Sequence, residues 1–440
     1  MTQPEHPRRR RGVRVARWRK WSARWGQMLS RVFVFDEHKT HDPPNYSSTL
    51  EYYRQLVDDV QLPHYPPVPM QQKFERLCPD EPQIVLRIAR LAVTAVLENY
   101  RNAKASGPGA KAMRDQHAKQ HGCVQATFLV HDDLPPELGV GVFRPGARYE
   151  ATIRFSNASG EVHADRRPDG RGLAIKLHGV GGDKLLDQAL DPSDRLKPMA
   201  STQDFLFSDY PVFFGKNVPD YARVMHLVQT PCATAWARLS HALQFVAFLA
   251  CRPHQTRVFI GHASQRRTNP LLTTYHSMSA YLLGEDRVVR YVVTPVLGES
   301  GSVRTANANE NQTSPDLLRD AMRSALDPGG DARPTGALFD FAVLLRAAPS
   351  VDDVEDVSNP WADAGDVQVS LARIEVPLQQ FSTTERDCDC ENMMFNPWNT
   401  LPEHQPLGGL NRMRLAVYLA SIRARHRLNM IAEPQSPVRP

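Results

Sequence analysis

The sequence predicts an α+β fold, and three observations predict it. Apolar and polar residues alternate with period two from Cys123 to Leu177, four further strand-like runs follow between 278 and 377, and stretches of helical period stand on either side of them. In chain order, HDPPNYSS and QLPHYPPVPM read as Pro-rich connecting segments around a short helix near Leu50 to Val60. Residues 81–102, EPQIVLRIARLAVTAVLENYRN, place apolar side chains at helical spacing with Arg and Glu opposite, which predicts a core-facing helix. The runs VQATFLV, ATIRFS and LAIKL then read as strands between Gly and Pro turns. A helical insertion is expected from about 217 to 252, followed by strands at MSAYLL, RVVRYVVTPV, LFDFAVLLRA and VQVSLARIEVP. The turn-rich pieces Asn396-Pro-Trp398 and Pro406-Leu-Gly-Gly-Leu410 lead into a final helix containing RLAVYLASIRAR.

Composition fits one large domain with additions at its ends. At 440 residues, 41% hydrophobic and 23% charged, the chain can bury a sizeable core. Its longest apolar stretches, VAFLAC and LARIEVPL, are far shorter than the roughly 18 residues of a membrane span. The expected organisation is a basic tail over 1–40, an arm and helix over 41–110, a main domain over 111–430 and a flexible terminus over 431–440. Ten Arg and Lys against one Glu give residues 1–31 a formal +9 and leave the remainder −4 of the net +5. Trp18, Trp21, Trp25, Met28, Leu29 and Val32 make one apolar stripe on that basic segment. The pattern suits either a helix lying on an anionic membrane surface or a solvated arm with nonspecific attraction for nucleic acid. It lacks the uncharged apolar core that a twin-arginine export signal needs. The six cysteines, Cys78, Cys123, Cys232, Cys251, Cys388 and Cys390, have no regular spacing and read as free thiols of a reducing compartment. The C-x-C of Cys388 and Cys390 has no second pair to complete a tetrahedral zinc site.

Chemistry-bearing residues concentrate in a few short motifs. Arg414 and Tyr418 fall one helical turn apart, so the guanidinium can sit beside the phenol oxygen, where a fixed positive charge favours the phenolate. A phenolate is a ligand for ferric haem, and Arg425, two turns on, could meet a haem propionate. Arg114 and His117 stand as R-x-x-H in MRDQHAKQHG, with His121 a polar alternative four residues later. A neutral His near pH 7 can take a proton from one peroxide oxygen and return it to the other. Arg154-Phe155-Ser156, RPDGRGLAIKL at 167–177 and Pro211-Val212-Phe213-Phe214 complete the series. No Gly-rich phosphate loop or nucleophile elbow occurs, and no His-x-x-x-His pair stands on an expected zinc-binding helix, which removes nucleotide and zinc hydrolase readings.

In order and content this series resembles the haem-binding core of the catalase family, over roughly residues 111 to 427. The resemblance implies a catalase-like antiparallel β-barrel core with surrounding helices and a C-terminal haem-ligating helix, reduced to the core. It implies haem b (iron) held by Tyr418, with Arg414 as its charge partner, Arg114, Arg154 and Arg425 as propionate clamps, and Phe213 and Phe214 lining the haem face. His117 would be the distal acid/base and Ser156 the hydroxyl that orients its ring, leaving His121 a second-shell or surface residue. The segment after it is one residue longer than the family pattern before Phe128. Where the family has an Asn on the distal side, Asp204-Phe-Leu-Phe-Ser208-Asp209-Tyr-Pro211 supplies Ser208, a shorter donor, with Asp209 expected to put an acceptor near the pocket. The implied activity is consumption of hydrogen peroxide or organic peroxides, as in the response to oxidative stress. Rearrangement of fatty-acid hydroperoxides by an isomerase or lyase, or a noncatalytic haem protein, are the alternatives. A cytoplasmic protein is expected, peripheral at the inner membrane face if the tail binds there, with a homo-oligomer left open.

Overall fold

The computed structural model describes residues 46–62, 64–106, 111–189, 201–229, 234–297, 314–329, 334–361 and 365–429. The basic tail with its Trp stripe, residues 431–440 and Cys232 lie outside the described residues. Among the described residues the fold is built on nine strands: β1 (Gln120–Val130), β2 (Arg148–Asn157), β3 (Arg171–His178), β4 (Thr202–Ser208), β5 (Tyr275–His276), β6 (Tyr281–Leu283), β7 (Arg287–Pro295), β8 (Ala337–Leu345) and β9 (Val367–Val376). Every pairing between them is antiparallel. Strands β1 to β5 pair in sequence, β5 pairs with β7, and β7, β8 and β9 lead back to β1, so eight strands close a barrel with β6 attached to β7.

Period-two alternation decides which side chains fill the barrel. Ala151, Ile153 and Phe155 of β2 point inward and join Phe128, Phe143, Phe205, Tyr291 and Phe341 in one buried cluster. These rings meet edge to face, Phe128 with Phe341 and Phe205 with Tyr291 at centroid separations of 5.1 Å. The intervening residues Arg154 and Ser156 must therefore project from the outer wall, although both are buried there by other elements.

Ten α-helices cover that wall among the described residues: α1 (Tyr46–Asp58), α2 (Glu81–Ser106), α3 (Leu185–Ala189), α4 (Val218–Gln229), α5 (Ala235–Ala250), α6 (Pro253–Ala263), α7 (Leu317–Leu326), α8 (Val351–Glu355), α9 (Thr384–Asn392) and α10 (Gly408–Asn429). The predicted helical insertion is α4 to α6. None of the described helices is long and apolar enough to cross a membrane. Helix α10 packs its Leu410, Met413, Val417 and Ala420 against Val85, Ala89, Val93 and Val96 of α2. Its start is pinned by the loop before it. The Trp398 indole donates to the Asn411 carbonyl at 2.7 Å, and Gly408, at φ 84°, approaches the Val354 carbonyl too closely for any Cβ.

The cysteines correct one expectation. Cys123 of β1 and Cys390 of α9 form a disulfide with Cα atoms 6.1 Å apart, while Cys78, Cys251 and Cys388 are free. Their separation of 267 residues explains why spacing gave no sign of it, since only the docking of α9 beside β1 brings the two together.

Candidate active site

Three adjacent strands set the first part of the site. Ser156 of β2 pairs with Gly172 of β3, which pairs with Ser208 of β4, so the three form a row on the outer wall. The His117 ring lies on this row. A Cβ on Gly172 would collide with its Nδ1 and stand 2.5 Å from Cε1, so glycine is what leaves room for the imidazole. His117 has a left-handed backbone, φ 59°, fixed by its N–H donating to the Ala158 carbonyl at 3.1 Å and by Arg154 Nη2 donating to its carbonyl at 2.8 Å. Its Nδ1 and Ser156 Oγ share a hydrogen bond of 3.1 Å. Burial, reinforced by the Arg154 charge, lowers its pKa to about 4, so the ring is neutral at pH 7.

Of two neighbours, one takes the inner of its two expected places and the other differs from expectation. His121 is not a surface residue: it is fully buried, with Nε2 2.8 Å from Asn157 Oδ1, and burial lowers its pKa to about 3. The β1–β2 register passes from Gln120↔Ser156 to Gly122↔Phe155 and leaves His121 in a bulge. Asp209 does not add an acceptor beside Ser208. Its carboxylate accepts the Arg171 N–H at 2.8 Å and Arg267 Nε at 2.9 Å, since consecutive residues at a strand end point to opposite faces. Ser208 Oγ itself is buried without a protein partner.

The three distant arginines converge. Arg425 Nη1 donates to Glu391 Oε1 at 2.8 Å, Arg114 Nη1 lies 2.5 Å from Glu391 Oε2, and Arg154 Nη2 is 3.6 Å from the same oxygen. One ion-paired carboxylate against three guanidiniums leaves positive charge in excess in a buried place, with Asp115 a second acid whose charge reaches Arg425. Burial, then repulsion from Arg114, lowers the pKa of Arg425 to about 9 and that of Arg154 well below its ordinary value. Arg154 Nε and Arg425 Nε and Nη2 are buried with no protein acceptor.

On α10 the helical pair stands as the spacing predicts, with Arg414 Nε and Nη2 each 3.3 Å from the Tyr418 oxygen. Asn411 Oδ1 accepts Arg414 Nη1 at 3.1 Å and fixes the other side of the guanidinium. One turn beyond Tyr418, Ser421 Oγ donates to Asp115 Oδ1 at 2.6 Å, which ties α10 to the segment carrying Arg114 and His117. Phe213 and Phe214 stack at 4.5 Å, Phe213 with Tyr418 and Tyr221 against the α2–α10 cluster and Phe214 toward His262. Sequence reasoning passed over Gly172, Glu391 and His262. The glycine stood in a quoted motif, whereas Glu391 in DCDCEN carried no signal of burial.

Among solved structures the chain is similar to a fungal catalase, with 17% identity and a TM-score of 0.52 over 77% of this chain and 65% of that one. Its fold is catalase-like. It also matches catalase A from Saccharomyces cerevisiae, with 17% identity and a TM-score of 0.52 over 84% of this chain and 72% of that one. A bacterial catalase matches at 13% identity and a TM-score of 0.52, over 93% of this chain and 72% of that one. The chain thus spans less than two thirds of the fungal catalase, and at these identities the likeness is one of fold alone. No protein-family model and no curated protein matches the sequence.

On this catalase-like barrel Gly172 offers a direct probe of the row. Gly172→Ala is expected to push the His117 ring off Ser156 while leaving the β3 ladder intact. Loss of the 3.1 Å contact with Ser156 would shift the His117 imidazole resonances in NMR spectra, and unmoved resonances would show that the ring does not rest on Gly172.

Proposed function

We propose that this chain is a haem b oxidoreductase that consumes hydrogen peroxide or organic peroxides. The observation that carries the reading is the arginine cluster. A haem brings two propionates, and the excess of positive charge around Glu391, with buried N–H groups that lack acceptors, suits anionic groups with free lone pairs. The residues present fit the group. Tyr418 would hold the iron through its phenol oxygen with Arg414 beside it, Arg114, Arg154 and Arg425 would hold the propionates, and Phe213 and Phe214 would line the ring.

Haem b, when bound, supplies the iron chemistry for cleaving the O–O bond. The chain supplies the proton traffic. His117, neutral above about pH 4, takes the peroxide proton and returns it to the departing oxygen, while Ser156 fixes the plane of the ring. Ser208 offers one hydroxyl donor from the same row. The short Ser208 side chain, where the family has an amide, favours a second reading within this chemistry, the rearrangement of bulkier fatty-acid hydroperoxides. Oxygen evolution from hydrogen peroxide separates the two, since rearrangement releases none.

The test is reconstitution of the full chain with haem b. Wild type is expected to give a ferric absorption spectrum with a phenolate charge-transfer band, and Tyr418→Phe is expected to lose stable haem or that band, because Phe offers no ligand atom. A Tyr418→Phe protein with an unchanged ferric spectrum would remove Tyr418 from the role.

A further inference from the structure

His262, at the end of α6, is the side chain that the proposed chemistry leaves unused and the geometry does not. Gly170 stands immediately before β3, two residues from Gly172, and an extended chain separates such positions by about 7 Å on one side. Gly170 continues the β2–β3 ladder, its carbonyl accepting the Ala158 N–H at 2.9 Å. Each glycine carries an imidazole. A Cβ on Gly172 would strike the His117 ring, and a Cβ on Gly170 would stand 2.6 Å from His262 Nε2. Two rings thus rest over neighbouring glycines of one wall, His117 beside Ser156 and His262 beside Ala158, near enough for the His262 charge to act on His117.

The His262 ring is held by aromatic contacts and not by hydrogen bonds. It stands edge-on to Tyr210 at 5.8 Å and leans on Phe214 at 6.4 Å. Tyr210 in turn lies against Gly261, where its hydroxyl would collide with any Cβ. His262 Nδ1 is buried with no protein partner, as is Ser208 Oγ on the same wall. Two orphaned polar atoms beside a neutral His117 describe a place for a small polar guest. Asp169 and Asp209 are the acidic groups whose charges reach His262, and both are already engaged, Asp169 by His163 at 3.1 Å and Asp209 by Arg267 at 2.9 Å. Burial lowers the His262 pKa, which keeps the ring neutral and able to donate from one nitrogen or accept at the other.

We propose that His262 is a second distal imidazole that positions the far oxygen of a bound hydroperoxide opposite His117, in the place left by the missing amide. The proposal rests on the peroxide reading above. His117 moves the proton, and His262 with Ser208 holds the oxygen that His117 does not.

The experiment uses the haem-loaded full chain with His262→Phe and His262→Gln. Loss of one hydrogen bond to substrate is expected to raise KM for hydrogen peroxide about tenfold in the Phe variant, with kcat changed much less. Gln, which keeps an amide donor and acceptor, is expected to restore most of the loss. Spectral titration of the ferric protein with cyanide gives a readout apart from turnover, and its Kd is expected to weaken in the Phe variant and recover in the Gln variant. Normal haem spectra with unchanged KM and cyanide Kd in both variants would overturn the proposal. Equal damage by Phe and Gln would also overturn it, since that is the mark of a packing role. A wild type that takes up no haem would instead overturn the peroxide reading, and this proposal with it.

Discussion

His117→Ala is expected to slow peroxide cleavage by the haem-loaded protein by about 10² to 10⁴, the usual worth of a positioned acid/base, with haem content unchanged. Everything around the ring serves its position. The left-handed backbone is locked by Ala158 and Arg154, Gly172 leaves the floor open, and Ser156 sets the plane. The ring's pH behaviour has a definite sign. It titrates near 4 in the folded protein against 6.5 as an ordinary imidazole, so between those values the unfolded chain holds the extra proton. This group therefore lowers stability as pH falls from 6.5 toward 4 and contributes nothing above 6.5, and the Ala variant is expected to lose less stability across that window. His121→Ala is the control. Its imidazole is engaged by Asn157 in the barrel wall, so the variant is expected to melt earlier with turnover per bound haem preserved. Turnover lost at His121 and kept at His117 would reverse the assignment.

What the sequence disclosed and what it hid follow physical lines. Strands β1, β2, β3, β7, β8 and β9 carry long alternating runs, and the fold needs that alternation to separate the aromatic interior from the outer wall. Strand β4 was harder to see, because its TQDFLFS buries polar residues on the outer face as well, with Asp204 paired to Lys176 under covering elements. Closure was not written in any period. It depends on the two-residue strand β5 bridging β4 and β7, and such a short element has no periodicity to read. Within the site, the Arg414–Tyr418 pair was legible because it is local to one helix. The gathering of Arg114, Arg154 and Arg425 became an expectation only through the family resemblance. Glu391, the carboxylate they share, and Cys390 beside it belong to a helix whose acidic composition reads as solvent-facing, and only docking reveals otherwise.

Arg412→Ala is expected to destabilise the fold by about 3–5 kcal/mol, or to prevent folding, because it strips the shared cation from two buried carboxylates and a third that is partly buried. Arg412 is fully buried, with Nη1 2.6 Å from Glu75, Nε 2.8 Å from Glu81 and Nη2 3.1 Å from Glu355. Those acids also cap the start of α10, where Gly408 N–H donates to Glu75 and Gly409 N–H to Glu355, each at 2.8 Å. One cluster thus joins the N-terminal arm, α2, α8 and the helix that carries Tyr418. Burial alone would push Glu81 up, but Arg412 and the Tyr65 hydroxyl bring it below the usual carboxylate range. Without the guanidinium the burial effect prevails, so the folded variant binds protons that its unfolded chain releases. Its stability is therefore expected to fall as pH rises above about 4.5, with part of the loss recovered near pH 5 compared with pH 7. Denaturant unfolding followed by circular dichroism at the two pH values measures this. A combined Arg412→Met, Glu75→Gln, Glu81→Gln, Glu355→Gln protein separates charge from packing, since neutralising all partners together is expected to recover much of the stability. A single Arg412→Ala protein as stable as wild type at pH 7 would mean that the three carboxylates reach water, and that α10 does not depend on this cluster for its position.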